Sequence, residues 1–372
     1  MKKLFLFLLV VLVAAPPAAW RLEEDRTLQV VVVDESVQGR GFEEHAGFHW
    51  LLEHMRVRAP GGAAYLPSDY FGYYPAAAER AVRFTQEDLD DADLVYLADA
   101  FGTWRSGLEQ FEMMRDRDRD EWIHSGFTYQ EMRALLTYIQ EGGHLVAEAF
   151  LFFARHPAGG EMRRELEEAL GVVWTGWIGG WFKDLNNIYE VPFWVRGMYE
   201  RNHGQQWPYR GPGVIFINPS EAEFVVLTPG IELRSPRPEI AINRRERALG
   251  TGVESNIPLA GWFEVVEAPD PSMVHASVRI QLTATGQNLM QEHGIPASFP
   301  LVVARWVDRN TYYVAADLGE VPGWLGPGRM KWAPEIRGRI APLLDAQVST
   351  GEQAFWRFYI PFMRNIVDSR VY

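Results

Sequence analysis

An α/β fold, with three layers around a mostly parallel sheet and a mainly β insertion, is what this 372-residue sequence predicts. Three observations carry that reading. Apolar runs such as Leu28–Val33 and Leu94–Ala98 are continuous rather than alternating, as strands buried on both faces are. Segments of helical period stand between such runs as far as residue 174, the order that places helices on both faces of a parallel sheet. After residue 176 Gly, Pro and Trp become frequent and helical periodicity fades, until the strand pattern resumes near residue 300.

Taken in order, the first central strand is the β-branched run at 28–33, ending in Asp34-Glu35-Ser36. A helix over 42–54 follows, with Phe48, Leu51, Leu52 and Met55 at helical spacing. Ala81–Phe84 reads as a short strand, and Thr85 with Asp88 as the start of a helix leading to the strand at 94–98, which ends in Asp99. The alternating charges from Arg115 to Glu121 read as a solvated loop or helix face. Thr128 and Glu131 form a capping box for a helix to Gln140; Gly142-Gly143 stops it, and the strand His144–Ala147 ends in Glu148. A helix at 160–170 closes at Gly171 before Val172-Val173-Trp174. Within the insertion, strands are expected at 214–217, 223–227, 261–266 and 274–283, and a short helix at 285–291. Strands at 300–304 and 311–316 resume the core, the second ending in Asp317, and Gln353–Val367 reads as an amphipathic helix bent or interrupted by Pro361.

Composition narrows the function. Lys+Arg 36 against Asp+Glu 49 gives a formal charge of -13, which disfavours a nonspecific grip on nucleic acid or anionic lipid. The absence of cysteine excludes disulfides, thiolate metal sites and a cysteine nucleophile. Lys2 and Lys3 precede an apolar run from Leu4 to Ala15, which reads as a secretory signal peptide within 1–19 or as an uncleaved anchor to the membrane. The expected organisation is that leader, a first part of the core at 20–176, the β insertion at 177–298, and the last part of the core with its C-terminal helix at 299–372. An exported protein follows: periplasmic, extracellular or held at the outer face of the cytoplasmic membrane.

In an open α/β sheet the ligand crevice lies at the carboxyl ends of the strands, and Asp34, Asp99, Glu148 and Asp317 all emerge there. As single residues they could equally be helix or loop caps; as a set they suggest a site, with Glu148, Asp99 and Asp317 as candidate catalytic acids and Asp34 and Glu35 as ligand contacts. Paired carboxylates suit acid and base work on a glycosidic bond. No cofactor is expected, although the acids would also suit a hard divalent cation. The aromatic run from Trp174 to Phe182 is broken by glycines, which suggests that Trp177 or Trp181 lines a loop beside the crevice as a platform for a sugar ring, core packing being the alternative. His45, His49 and His54 lack the HExxH pattern of a zinc site, and Ser36 and Ser125 lack a nucleophile elbow. No phosphate-loop or dinucleotide fingerprint occurs.

The stretches DESV, YLADAFG, EGGHLVAEAF, FPLVVARWV and YYVAADLG, in that order, resemble exported proteins of a class I glutamine amidotransferase-like, flavodoxin-like fold. HWLLEH, DYFGYYP, WTGWIGGWFKDLN and GPGVIFIN are similar to stretches of an uncharacterised secreted group with that fold. The resemblance implies the fold and the place of the crevice, with Glu148 near its centre. True amidotransferases carry a cysteine in a GxCxG elbow; the comparable turn here is Val146–Phe150, with neither the nucleophile nor the glycines, so glutaminase activity is excluded. Two functions from different classes are consistent with these residues. One is an envelope protein that binds or processes a carbohydrate, as a hydrolase or lyase if it is an enzyme. The other is a noncatalytic binding or scaffolding domain with a glycan or an envelope protein as partner.

Overall fold

The computed structural model of the chain describes residues 14–37, 42–74, 80–100, 102–104, 122–124, 126–152, 159–243, 249–305, 310–320, 325–348 and 351–370. Residues 1–13 of the predicted leader, the charge run 115–121 and Ser125 lie outside the described residues, and a short helix, α1, over residues 14–21 opens the described chain.

One large sheet organises the fold. Its strands are β1 (Val30–Asp34), β2 (Phe71–Tyr74), β3 (Arg80–Val82), β4 (Leu94–Asp99), β5 (His144–Ala147), β9 (Glu239–Ile242), β10 (Ile257–Pro258), β12 (Val274–Arg279), β13 (Ser298–Arg305) and β14 (Asn310–Val314). A second sheet holds β6 (Val173–Phe182), β7 (Gly213–Asn218), β8 (Glu223–Leu227) and β11 (Gly261–Glu267). In the large sheet the order is β10-β9-β12-β13-β14-β5-β4-β1-β2-β3. Its central five strands, β14, β5, β4, β1 and β2, run parallel, and antiparallel strands extend both ends. The four strands whose ends carry the predicted acids, β1, β4, β5 and β14, are therefore neighbours with their carboxyl ends on one edge.

The period-2 rule explains why these runs are continuously apolar. Val31, Val33, Val95, Leu97, Leu145, Ala147 and Tyr313 fill the core on one face, beneath the helices α3 (Tyr129–Gln140) and α4 (Gly159–Leu170). Val30, Val32, Leu94, Tyr96, Val146, Tyr312 and Val314 fill the other, beneath α2 (Glu43–His54) and the C-terminal helix Ile360–Asp368. The expected layers of helix, sheet and helix are present around the parallel strands. α3 opens with the predicted capping box: Thr128 Oγ1 accepts from Glu131 N–H at 3.3 Å, and the Glu131 carboxylate accepts from Thr128 N–H at 2.9 Å.

The segment 177–298 divides between the two sheets. Most of β6 together with β7, β8 and β11 makes the antiparallel sheet, while β9, β10 and β12 extend the large one. Helix α5 (Phe193–His203) also lies within it, in a stretch where no helical period is evident in the sequence. The run Trp174–Phe182, expected as a loop, is instead the body of the ten-residue strand β6, paired on both sides. Its glycines serve packing: a Cβ on Gly179 would lie 2.3 Å from the Phe263 ring, so glycine lets an aromatic ring cross the backbone.

The C-terminal helix changes its hydrogen-bond pattern just before its proline. A π-helical turn at Phe355–Tyr359 precedes Pro361, and the Arg357 carbonyl that Pro361 cannot reach accepts instead from Glu254 N–H at 3.0 Å.

Candidate functional site

Asp34 and Asp99 end adjacent parallel strands in register, and Glu35 N–H donates to the Asp99 carbonyl at 2.9 Å. Asp34 is fully buried. One carboxylate oxygen accepts from Ser36 N–H at 3.0 Å, and the other lies 2.5 Å from His45 Nδ1. His45 Nε2 donates to the Pro67 carbonyl at 2.8 Å, so both ring nitrogens of His45 are engaged within the protein. One turn further along α2, His49 Nδ1 donates to the His45 carbonyl at 3.2 Å, and its Nε2 is buried without a partner. Burial, and then the neighbouring His45, hold His49 down at about 3. Of the histidines noted in the sequence, His45 and His49 thus belong to the Asp34 corner, while His54 stacks on Trp50 and bonds the Gly328 carbonyl through Nδ1 at 2.9 Å; among the described residues no three His, Asp or Glu side chains are placed to hold a metal ion.

Glu35 is also fully buried and belongs to the scaffold. Arg83 lies 3.5 Å from it while donating to the capping-box Glu131 at 2.8 Å and to the Gly126 carbonyl at 2.9 Å. One arginine therefore joins the end of β1 to the start of α3, which leaves Glu35 facing inward rather than toward a ligand.

Glu148 departs from its expected role at the centre of an open crevice. It is 1% exposed, with Tyr96 donating to one oxygen at 2.6 Å and the backbone N–H groups of Leu318 and Gly319 donating to the other at 3.2 and 3.0 Å. The Tyr96 oxygen lies 2.9 Å from the Tyr359 hydroxyl. Burial pushes the Glu148 carboxyl up to about 7, against the pull of those donors. A carboxylate enclosed in this way fixes the turn after β14 and offers no face to a substrate.

The rim of the same edge has the remaining acids. Asp317, half-buried after β14, is held well above the usual carboxylate range by burial and by Glu320, with which it hydrogen-bonds; Glu148 and Asp99 add to the effect. Glu44, half-buried in the first turn of α2, is pushed up to about 9 by burial and then by Asp34, with Asp99 and Glu320 contributing. The predicted acids at the ends of β1, β4, β5 and β14 are thus coupled at one edge. Glu44 and Glu320 complete the group and were not singled out by the sequence. The rim carries protonated carboxyls, which donate, beside acceptors, an arrangement suited to hydroxyl groups or to proton transfer.

Trp177 and Trp181 lie elsewhere. They are 5% and 6% exposed, inside the core that β6 shares with the large sheet. Trp177 meets the His293 ring edge-on, and Trp181 donates to the Pro236 carbonyl at 2.7 Å under the Arg237 guanidinium, 4.2 Å from the ring centre. The reading of these rings as a sugar platform is corrected: in a paired strand every second side chain points into the core, and both rings do.

Neither a family model nor a curated protein matches the sequence. Among solved structures, a cold-adapted β-galactosidase from Rahnella sp. R3 aligns with 92% of this chain at 10% identity and a TM-score of 0.39. The chain covers 31% of that enzyme, about a third of its length. ThuA-like proteins from Bacteroides uniformis ATCC 8492 and Parabacteroides merdae ATCC 43184 align with 86% and 83% of the chain, covering 94% and 90% of their own. Their identities are 11% and 13%, and their TM-scores 0.29 and 0.35. Likeness at this level transfers neither a site residue nor an activity to this chain.

Proposed function

We propose that the chain is an exported envelope protein of amidotransferase-like fold that binds a neutral, hydroxyl-rich ligand, a carbohydrate, at the acidic edge of its parallel strands. The observation that supports this most is the coupling of carboxyls from β1, β4 and β14 with Glu44 of α2, part of the set holding protons. Protonated and ionised carboxyls side by side match the mixed donors and acceptors of a sugar ring, while a chain of charge -13 repels anionic ligands. The lysines and apolar run of the leader support export.

A second reading, turnover of the bound glycan, rests on Glu44: a half-buried acid that keeps its proton beside other carboxyls has the character of a general acid. The noncatalytic binding or scaffolding role is supported by the enclosure of Asp34, Glu35 and Glu148 in internal bonds. Glycan-array binding followed by calorimetry at pH 6 and pH 9 tests the binding proposal, and product analysis after long incubation separates the readings. Binding that weakens at pH 9 and survives Glu44→Gln supports a carbohydrate site. Failure to bind any neutral glycan overturns it and leaves protein partners. Turnover lost in Glu44→Gln with binding kept makes the site catalytic.

A further inference from the structure

Helix α6 (Ala333–Val348) presents its apolar stripe outward. Trp332, Ile336, Ile340 and Leu343 are 46%, 47%, 38% and 68% exposed. At about 100° per residue Ile336, Ile340 and Leu343 fall within an arc of roughly 60°, a single stripe along a helix about 24 Å long, and Trp332 stands in the left-handed turn just before it. The opposite face is the one that packs: Ala341 is buried, and Arg337 lies over the Trp356 ring at 5.5 Å. Single exposed apolar residues need no explanation, but three in register along one helix with a tryptophan at its entry do.

Two further observations identify what covers it. The N-terminal chain enters the described structure beside this stripe: a helix over residues 14–21 docks through Trp20, and Lys331 donates its N–H to the Pro16 carbonyl at 3.2 Å while its ammonium pairs with Glu23 at 2.5 Å. The residues before position 14 are the apolar run headed by Lys2 and Lys3, and Leu22, 86% exposed, stands next to Glu23. The charge of this region also runs against that of the molecule. Between residues 329 and 339 Arg329, Lys331, Arg337 and Arg339 face one acid, Glu335, in a chain of charge -13. Glu53 offsets one of these charges, pairing with Arg329 at 2.8 Å, while Arg339 is exposed and on the helical wheel lies at the border of the stripe.

We propose that α6 is an in-plane membrane helix: Trp332, Ile336, Ile340 and Leu343 enter the headgroup boundary of an anionic bilayer, with Arg339 at the phosphates. An outward apolar face edged by arginine, with a tryptophan at one end, is the pattern of helices that lie in the interface. The adjoining leader would hold the same face of the protein toward the bilayer, so that α6 adds a second attachment to the first. The acidic edge has no part in this inference.

The chain contains no cysteine, so one introduced cysteine carries a polarity-sensitive dye without background. The full chain with Ile340→Cys or Ile336→Cys, and with Glu292→Cys at an exposed site as control, is mixed with vesicles of phosphatidylcholine containing phosphatidylglycerol, some lipids brominated near the headgroup. Far-UV dichroism checks that each variant is folded. The expected result is blue-shifted, bromide-quenched emission at 336 and 340, none at 292, and a loss of at least severalfold in quenching when phosphatidylglycerol is omitted or Arg339→Glu is added. A dye that stays in water while the protein floats with vesicles overturns the proposal and leaves the leader as sole attachment. A shift without vesicles that grows with protein concentration means a second copy covers the stripe; one independent of concentration means the chain's own leader does. Either result also overturns it.

Discussion

Tyr96 of β4 donates its hydroxyl to Glu148 at the end of β5 over 2.6 Å, and together they fix the turn that follows β14. Because the bonded carboxylate oxygens accept three donors in a closed space, Glu148→Ala leaves Tyr96 and two backbone N–H groups without that acceptor. A loss of about 2–5 kcal/mol is expected. Glu148→Gln keeps one carbonyl oxygen for the backbone and turns its amide toward a hydroxyl that can reorient, so a loss of about 1 kcal/mol is expected. Urea unfolding at pH 6 measures both. Equal losses in the two variants would show that the volume of the side chain, and not its acceptor oxygens, holds the turn.

The same turn tolerates no side chain at Gly319. A Cβ there would stand 2.6 Å from the Tyr96 oxygen and 3.1 Å from Glu148 Oε1, and one on Gly47 of α2 would stand 2.5 Å from the Gly319 carbonyl. Gly319→Ala and Gly47→Ala should each cost roughly 1–3 kcal/mol through overpacking. The double variant should cost less than the sum, because either change already parts α2 from the turn. Strict additivity in denaturation midpoints would mean that the two glycines relax separately.

The strand-end acids were legible because their cause is local: a continuous apolar run buried on both faces shows where the strand is, and the next polar residue shows where it ends. Parallel register brings Val33 opposite Leu97, and a one-residue irregularity after that pair, not evident in the sequence, then sets Asp34 opposite Asp99 in place of Ala98. Glu44 was not legible, since an acid in the first turn of a helix is what the helix dipole favours on any surface; only Asp34 and Asp99, distant in sequence from one another, make it unusual. The aromatic run misled for a related reason. Glycine between rings looks the same whether it bends a loop or admits the ring of Phe263 from another strand. Helix α6 was missed because Pro334, Gly338 and Pro342 obscure its pattern in the sequence and its apolar stripe faces away from the core.

Placing Trp181 in the core has its own consequence. Trp181→Phe removes the donor to the Pro236 carbonyl and part of the surface beneath Arg237, so stability should fall by roughly 1–3 kcal/mol. Any glycan affinity measured by calorimetry should stay within about twofold of the parent chain, a change of under half a kcal/mol. A tenfold loss of affinity with unchanged stability would return the ring to the ligand site.

Stability should follow pH along a broad dome whose two flanks have different owners. Burial lowers His49 to about 3 and His144 to about 4 from an ordinary 6.5, so between those values and 6.5 the unfolded chain binds the proton more tightly and stability rises with pH. Glu148 and Glu44 shift the other way, from 4.5 to about 7 and about 9. There the folded chain keeps protons that the unfolded chain has released, so stability falls as pH rises through each window. Of these four groups only the histidines act below 4.5; from 4.5 to 6.5 the opposed slopes largely cancel; above 6.5 only the acids remain. For Glu148 the loss is complete near pH 7 and amounts to on the order of 3 kcal/mol. From there to pH 9 the decline belongs to Glu44, with Asp317 adding to it. Urea midpoints measured from pH 3 to pH 10 at constant ionic strength should therefore fall between pH 7 and pH 9, and Glu44→Gln, which cannot ionise, should make that descent shallower while leaving the acid flank in place. A parent chain whose midpoints are level from pH 7 to pH 9, or a Glu44→Gln chain with the same slope as the parent, would mean that Glu44 is ionised throughout, and the acid role proposed for it would fall.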